Sequence, residues 1–354
     1  FEADFQPYDS RYDYLFNSYY YTHGSMHPRA NRGLLSRPTV DEIYRYREQV
    51  NGRMRRVLEQ AGEKEWETLA ELTILGLNHE EQHQELLLMD IKHNFWSNPL
   101  KPAYRDDLLR STGTTPTMGW HRQAGGIHQV GHSGEGFAYD NETPRHEVLH
   151  GSFALADRFV TNAEYLAFIA DGGYRRPELW LSDGWSLLQS QGWRHPLYWV
   201  ETQPEWQQFT LGGLQALNPH EPVCHVSYYE ADAYARWTGR RLPLESELEY
   251  VLSQQPLEGH FADREAFHPA PADETGQWYG ELWAWTASPY SAYPGFKPLA
   301  GTMGEYNGKF MANQMVLKGG CCITPAGHVR PSYRNFYYPD ERWAFTGIRL
   351  AEDI

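Results

Sequence analysis

At 354 residues, 41% of them hydrophobic, the chain can bury ordinary cores in two domains. Its formal charge of −15 repels phosphate backbones, and no apolar run approaches the roughly 18 residues of a membrane span, so neither nucleic acid nor a bilayer is an expected partner. Three cysteines, Cys224, Cys321 and Cys322, supply no disulfide framework, and no charged-then-apolar leader points to export, so the expected location is cytoplasmic.

Residues 1–37, rich in Tyr, Arg and Gly, read as a long irregular connection, a kind of loop more often functional than idle. Residues 38–99 are helical. Thr39 with Glu42 three residues on is a capping box, and Val40, Ile43, Val50, Met54 and Val57 then recur at helical spacing. A polar break at 61–64 ends that helix. A second run over 66–96 carries Leu69, Leu72, Leu75, Leu86 and Leu87 with no proline inside. Two long helices joined by a short turn make half of a helical bundle. Residues 100–127 read as a linker. From 128 to 354, short β-like runs (147–150 and 221–226) alternate with two brief helices. One follows the capping box Thr161-Asn162-Ala163-Glu164, and the other spans 228–238 and stops at Gly239. Aromatic residues make up 15% of the chain, and with the many Gly, Pro and Trp loops they suggest a walled pocket.

The sharpest local feature is His79-Glu80-Glu81-Gln82-His83-Gln84-Glu85. Histidines at i and i+4 stand one turn apart, so both imidazoles reach one metal ion. Leu75, Leu86 and Leu87 place this face near an apolar interior, where two unpaired imidazoles are costly. The string also fits the zinc-protease pattern His-Glu-x-x-His with Glu80 as base, although no downstream ligand motif of that class follows. Two histidines make an incomplete site, and His23, His27 and His93 are candidates for a third ligand.

The region from about Gly126 resembles the formylglycine-generating-enzyme and sulfatase-modifying-factor family, a variant of the C-type-lectin fold. The segments that carry the resemblance include Asp140 to His146, Val160 to Tyr165, Arg240 to Tyr250, Glu281-Leu282-Trp283-Ala284-Trp285-Thr286, Lys318-Gly319-Gly320 and Thr346 to Leu350. The family's copper-binding cysteine pair is missing: Cys321 and Cys322 are immediate neighbours, so formylglycine generation is not expected and both read as structural. With the helical histidine motif, the chain is similar throughout to the sulfoxide synthases of ergothioneine biosynthesis. Tyr14 to Tyr20, His27-Pro28-Arg29, Arg32 to Pro38, His79 to Glu85, Glu305 to Phe310 and Tyr333-Arg334-Asn335-Phe336 carry that likeness. The implied architecture is α+β: an N-terminal DinB-like helical bundle, incomplete here, followed by the C-type-lectin-like domain.

What this resemblance implies is specific. Three histidines bind Fe(II), two of them His79 and His83. The first lies in a helix upstream of the Tyr14–Tyr20 stretch, and because the chain opens Phe1-Glu2-Ala3 without an initiator methionine, that ligand is expected before Phe1. The expected substrates are a cysteine-type thiol (cysteine or γ-glutamylcysteine), Nα-trimethylhistidine and O2. Gln82 is a candidate contact for the substrate imidazole, and Asn335 with Phe336 for the betaine, whose quaternary ammonium is held by aromatic faces. Phe336, Tyr337, Tyr338 and Trp343 offer such faces. Arg29 and Arg32, and Arg330 and Arg334, are candidates for the thiol substrate's carboxylate. Tyr19 or Tyr20 is the expected proton donor. Alternatives are an ovothiol-type synthase acting on histidine, a zinc hydrolase or thiol transferase on His79 and His83, and a ligand-binding module without turnover.

Overall fold

A computed structural model describes residues 1, 5–18, 20–108, 110–134, 136–202, 205–301, 304 and 307–354. It divides into two units, residues 1–78 with 298–308, and residues 79–297 with 309–354.

In the first unit a short helix, α1 (Tyr12–Phe16), and two 3-10 turns (Tyr21–His23 and Arg29–Leu34) occupy the stretch expected to be irregular. Helix α2 (Val40–Gln60) begins where the capping box requires: the Glu42 carboxylate accepts from Thr39 N at 2.7 Å while Glu42 N donates to Thr39 Oγ1. Tyr8, Tyr12 and Phe16 gather round Tyr46 of α2, with Tyr12 and Tyr46 in an edge-to-face contact at 5.1 Å. After a break at Ala61-Gly62, helix α3 (Glu63–Ser97) runs for 35 residues. Its part from His79 onward belongs to the second unit.

That part corrects the expected burial. Leu87 is 59% exposed, whereas Glu85, Met89 and Lys92, spaced i, i+4, i+7, are buried at 5%, 0% and 1%. The buried stripe of α3 therefore carries a carboxyl and an amine, and the leucines do not define it.

The second unit follows as β1 (Trp120–Gln123), β2 (Gly126–Val130), β3 (His146–His150), β4 (Phe153–Ala156), α4 (Asn162–Ala170), α5 (Ser182–Gln191), β5 (Trp199–Glu201), β6 (Trp206–Thr210), β7 (Gly213–Ala216), α6 (Tyr228–Trp237) and α7 (Glu245–Leu252). It continues through β8 (Gly259–His260), β9 (Tyr279–Gly280), β10 (Trp283–Pro289), β11 (Met315–Lys318), β12 (Asn335–Tyr337), β13 (Thr346–Gly347) and β14 (Ala351–Asp353). The strands form several small sheets. The one that matters for the site has the order β12-β11-β10-β13, and another, β1-β4-β14, joins the two ends of the domain.

Three expectations change. The region read as a linker contains β1, and its residue Arg110 is tied to the buried Glu221, so the domain begins well before residue 128. Residues 221–226 form no strand. They run extended, with one bridge from Thr161 to Pro222 and a left-handed residue at His225 (φ +65°), because their backbone groups bond to the loop at Val160 and to Thr346 at the start of β13. Helices α5 and α7 join the two that capping signals reveal, α4 and α6. Neither α5 nor α7 begins with a Ser, Thr, Asp or Asn cap.

Candidate metal and substrate site

The site is built on one turn of α3. His79 and His83 bring their Nε2 atoms to 3.2 Å, with ring planes at 75°. Two nitrogens at that spacing suit two bonds of about 2.1 Å to one ion, subtending an angle of about 100°. Burial, and after it the charge of His83, pushes the His79 pKa down, which favours the neutral form a metal ligand needs. The residues present thus fit a divalent transition ion as two of its ligands. Among the described residues no group of three or more His, Cys, Asp or Glu is placed to hold a metal. Of the candidate third ligands, His93 stands ten residues along α3 from His83, about 15 Å up the helix, and bonds to Tyr198 Oη at 3.0 Å. His23 and His27 belong to the first unit, where they pack edge-on against Tyr20 and Tyr14.

Gln82 occupies the same turn and donates from Nε2 to Tyr333 Oη at 2.6 Å. Tyr333 lies 3.1 Å from His328 Nε2, and His328 Nδ1 lies 3.0 Å from Glu81 Oε2. Burial first, and the Arg330 guanidinium second, push the His328 pKa down to about 3, so its contact with Glu81 is a hydrogen bond to a neutral ring and not an ion pair. Below this turn Glu85 accepts from Trp283 Nε1 at 2.8 Å and from the Thr324 hydroxyl. Burial raises its pKa to about 7, against the pull of those two bonds. Trp283 opens β10, and its indole meets the Tyr333 ring at 5.5 Å, tilted by 31°. Nothing in the local sequence marks Glu81, Glu85, Trp283, His328 or Tyr333 for these contacts, because their partners lie some 200 to 250 residues away.

The expected pair Asn335 and Phe336 is divided by the pleat of β12. Successive strand residues face opposite sides. Phe336 stacks on Tyr290 at 4.1 Å and 9° and on Phe310 at 5.9 Å. On the other face Asn335 shares a side-chain hydrogen bond with Tyr337, whose hydroxyl feels the Glu85 charge and whose ring meets Trp343 at 5.2 Å. The aromatic residues that accompany Asn335 are therefore Tyr337 and Trp343, and Phe336 belongs to a separate stack.

The two C-terminal arginines are committed internally. Arg334, 3% exposed, binds the Glu245 carboxylate at 3.1 and 3.2 Å and the carbonyls of Asn141 and Ser291. Arg330 forks onto Glu142, which is wholly buried and also accepts from Ser332 Oγ. Both expectations of a substrate carboxylate are corrected: the carboxylates these arginines hold are the protein's own. In the first unit Arg29 reaches Ser18 O at 3.5 Å and Arg32 reaches Asn17 O at 3.3 Å, and Arg32 Nε is buried with no hydrogen-bond partner among the described residues. Asn17 holds the Tyr20 backbone, accepting from Tyr20 N at 2.9 Å and donating to Tyr20 O at 2.8 Å. Tyr19 lies outside the described residues. Cys321 and Cys322 are buried free thiols with pKa pushed well up by burial, which makes them unreactive packing groups.

Residues 114–354 match the Sulfatase-modifying factor enzyme 1-like domain. Over 317 residues the chain is 33% identical to the hercynine oxygenase of Mycolicibacterium smegmatis, covering 79% of this chain and 71% of that protein. The chain belongs to the sulfatase-modifying-factor family, on the branch of the hercynine oxygenases. The hercynine oxygenase of Mycolicibacterium thermoresistibile is 36% identical over 248 residues, which are 62% of this chain and 55% of that protein. Ergothioneine biosynthesis protein 1 of Schizosaccharomyces pombe is 29% identical over 235 residues, 61% of this chain and 28% of that protein. The family domain begins after α3, so His79, Gln82 and His83 stand on a helix N-terminal to it. Among the described residues no helix is long and apolar enough to cross a membrane.

Proposed function

We propose that the chain joins a cysteine-type thiol to the imidazole carbon of Nα-trimethylhistidine (hercynine) and oxygenates the sulfur, with O2 as oxidant. The observation that carries this reading is the convergence of His79 and His83 Nε2 at 3.2 Å with Gln82 on the same turn. The relatives' names, hercynine oxygenase and ergothioneine biosynthesis protein, support the substrate and the pathway. The stoichiometry balances without a further reductant. The C–H and S–H hydrogens leave as water with one oxygen atom, and the other oxygen ends on sulfur.

His79 and His83 would hold Fe(II), and the bound ion would activate O2 and the thiolate. The remaining roles belong to the chain. Gln82 bonds the substrate imidazole. Asn335, Tyr337 and Trp343 supply a polar group and aromatic faces for the betaine, since a trimethylammonium is held by ring faces and not by hydrogen bonds. Arg32, with its buried Nε, is the proposed partner for the thiol substrate's carboxylate, together with Arg29. The hydroxyl of Tyr20, whose backbone Asn17 holds, is the proposed acid. Tyr20→Phe is then expected to shift product from the sulfoxide toward simple thiol dioxygenation; an unchanged product ratio removes Tyr20 from the mechanism.

The deciding experiment is oxygen consumption by anaerobically Fe(II)-loaded protein given cysteine, γ-glutamylcysteine and Nα-trimethylhistidine singly and in pairs. Uptake that requires both a thiol and the betaine, with a sulfoxide adduct by mass spectrometry, is the expected result. Uptake with histidine in place of the betaine would move the reading to an ovothiol-type synthase, and no uptake with any pair would end it.

A further inference from the structure

Helices α4 and α5 end alike. Each passes into a glycine in the left-handed region, Gly172 (φ +79°) and Gly192 (φ +66°), and an arginine follows close behind, Arg175 and Arg194. Both arginines line one cavity of about 580 Å³ within the second unit, bounded also by residues of β5 and β6. Arg175 lies across Gly172, its Nη2 3.3 Å from the place a Cβ would take, so the bare backbone gives the guanidinium room. Among the described residues neither guanidinium has a hydrogen bond or an ion pair. The nearby acids are already held: Arg176 takes Asp171 and Glu178, each at 2.9 Å, and Arg342 takes Glu230 at 3.0 Å. Glu201 is the one acid on the cavity wall among the described residues, and it pairs with neither arginine. Trp193, with one face covered by the Arg342 guanidinium at 4.2 Å, and Trp206, edge-on to His195 at 5.5 Å, give the same wall its rings.

A guanidinium carries five N–H donors in a planar fork and no acceptor, and two such forks left unpaired in one concavity call for an anion. The chain as a whole carries −15, so this wall is a local exception that draws an anion against the general field. Size and rings narrow the choice. The volume lies within the range of about 300–1,000 Å³ usual for small-molecule sites, far more than a bare phosphate or carboxylate fills, and indoles take a flat ring by stacking. We infer that this cavity is a second ligand site, which binds a planar ring carrying a phosphate monoester or a carboxylate, with the anion on Arg175 and Arg194 and the ring against Trp193 and Trp206. It shares no residue with the turn that bears His79 and His83, so it stands independently of the proposed reaction.

The test is calorimetric titration of the full chain under argon, with Fe(II) and without it. The ligands are adenosine 5′-monophosphate and indole-3-propionate as ring-bearing anions, adenosine and indole-3-propanol as the same rings without charge, and inorganic phosphate as charge without a ring. At least one ring-bearing anion is expected to bind about tenfold or more tightly than both its uncharged counterpart and phosphate, and equally with or without Fe(II). The tighter of the two identifies the headgroup as phosphate or carboxylate. Arg175 and Arg194 are exposed, so their variants keep the fold. Arg175→Gln and Arg194→Gln are each expected to weaken that ligand about tenfold, while Arg122→Gln, which removes an exposed arginine on β1 outside the cavity, leaves it within about twofold. No binding by either ring-bearing anion, or phosphate binding as tightly as both, would overturn the site. So would equal losses in all three variants, which mark attraction by charge alone, or binding that occurs only with Fe(II), which places the anion on the metal.

Discussion

Lys92 lies on the buried stripe of α3 with its Nζ 2.7 Å from His225 Nε2 and over the rings of Tyr198 and Phe345. Among the described residues no carboxylate pairs with it. Burial lowers its pKa from 10.5 to about 8. Because the folded value lies below the unfolded one, the unfolded chain binds more protons between those pH values, and stability rises with pH from about 8 toward 10.5. Below pH 8 the cost of the buried charge is present in full, ~3 kcal/mol by the size of the shift. Lys92→Met also removes the donor to His225 Nε2, a loss of about 1 kcal/mol. The variant is expected to gain about 2 kcal/mol at pH 7 and to lose the alkaline rise, as urea unfolding across pH 7 to 10 would show. A Lys92→Met protein less stable at pH 7 would mean that the amine has a counter-charge. Nothing in the local sequence distinguishes Lys92 from a solvated helical lysine, because its environment is made by His225 and Phe345 from distant segments.

At the scale of elements, capping signals were the most legible part of the chain. Thr39 and Thr161 start α2 and α4 with both reciprocal bonds formed, because a capping box is satisfied entirely within four residues. Thr161→Ala is expected to cost about 1 kcal/mol, read as a shift in denaturation midpoint at constant m-value. Loops tied by buried ion pairs carry more. The 3-10 turn Asp140–Glu142 places the Glu142 carboxylate on Arg330, Ser332 and Tyr139 N. Glu142→Ala would strand a guanidinium whose side chain is 15% exposed, at a cost of about 3 kcal/mol or more. Since Arg330 helps enclose Tyr333 and His328, the same variant is expected to weaken betaine binding, which calorimetry can separate from the stability loss. Strand β12 shows what residue types do not reveal. Asn335 and Phe336 are adjacent in sequence and opposite in direction, and only the pairing of Leu317 with Asn335 and Val316 with Phe336 sets which face meets which neighbour.

At the scale of the whole molecule, metal binding couples to stability. An ion held by His79 and His83 binds the folded chain better than the unfolded one, so Fe(II) is expected to raise the melting temperature in proportion to the logarithm of its concentration. Chelation should remove that increment together with O2 uptake, and Fe(II) should restore both. Replacing either histidine by alanine should abolish the metal-dependent shift, and a shift unchanged in both variants would place the ion elsewhere. The sequence by itself determined the long helices, the capping boxes of α2 and α4, the family of the second domain and the two histidines on one turn. Those features are periodic or contiguous, and their physics is complete within a few residues. Only the tertiary structure decided that α3 buries Glu85 and Lys92, that Arg334 holds Glu245, and that Gln82 is held through Tyr333 and His328 to Glu81. Each of these depends on partners far along the chain, and a polar side chain's hydrogen-bond direction and pKa are properties of its partners and its burial, not of its neighbours in sequence.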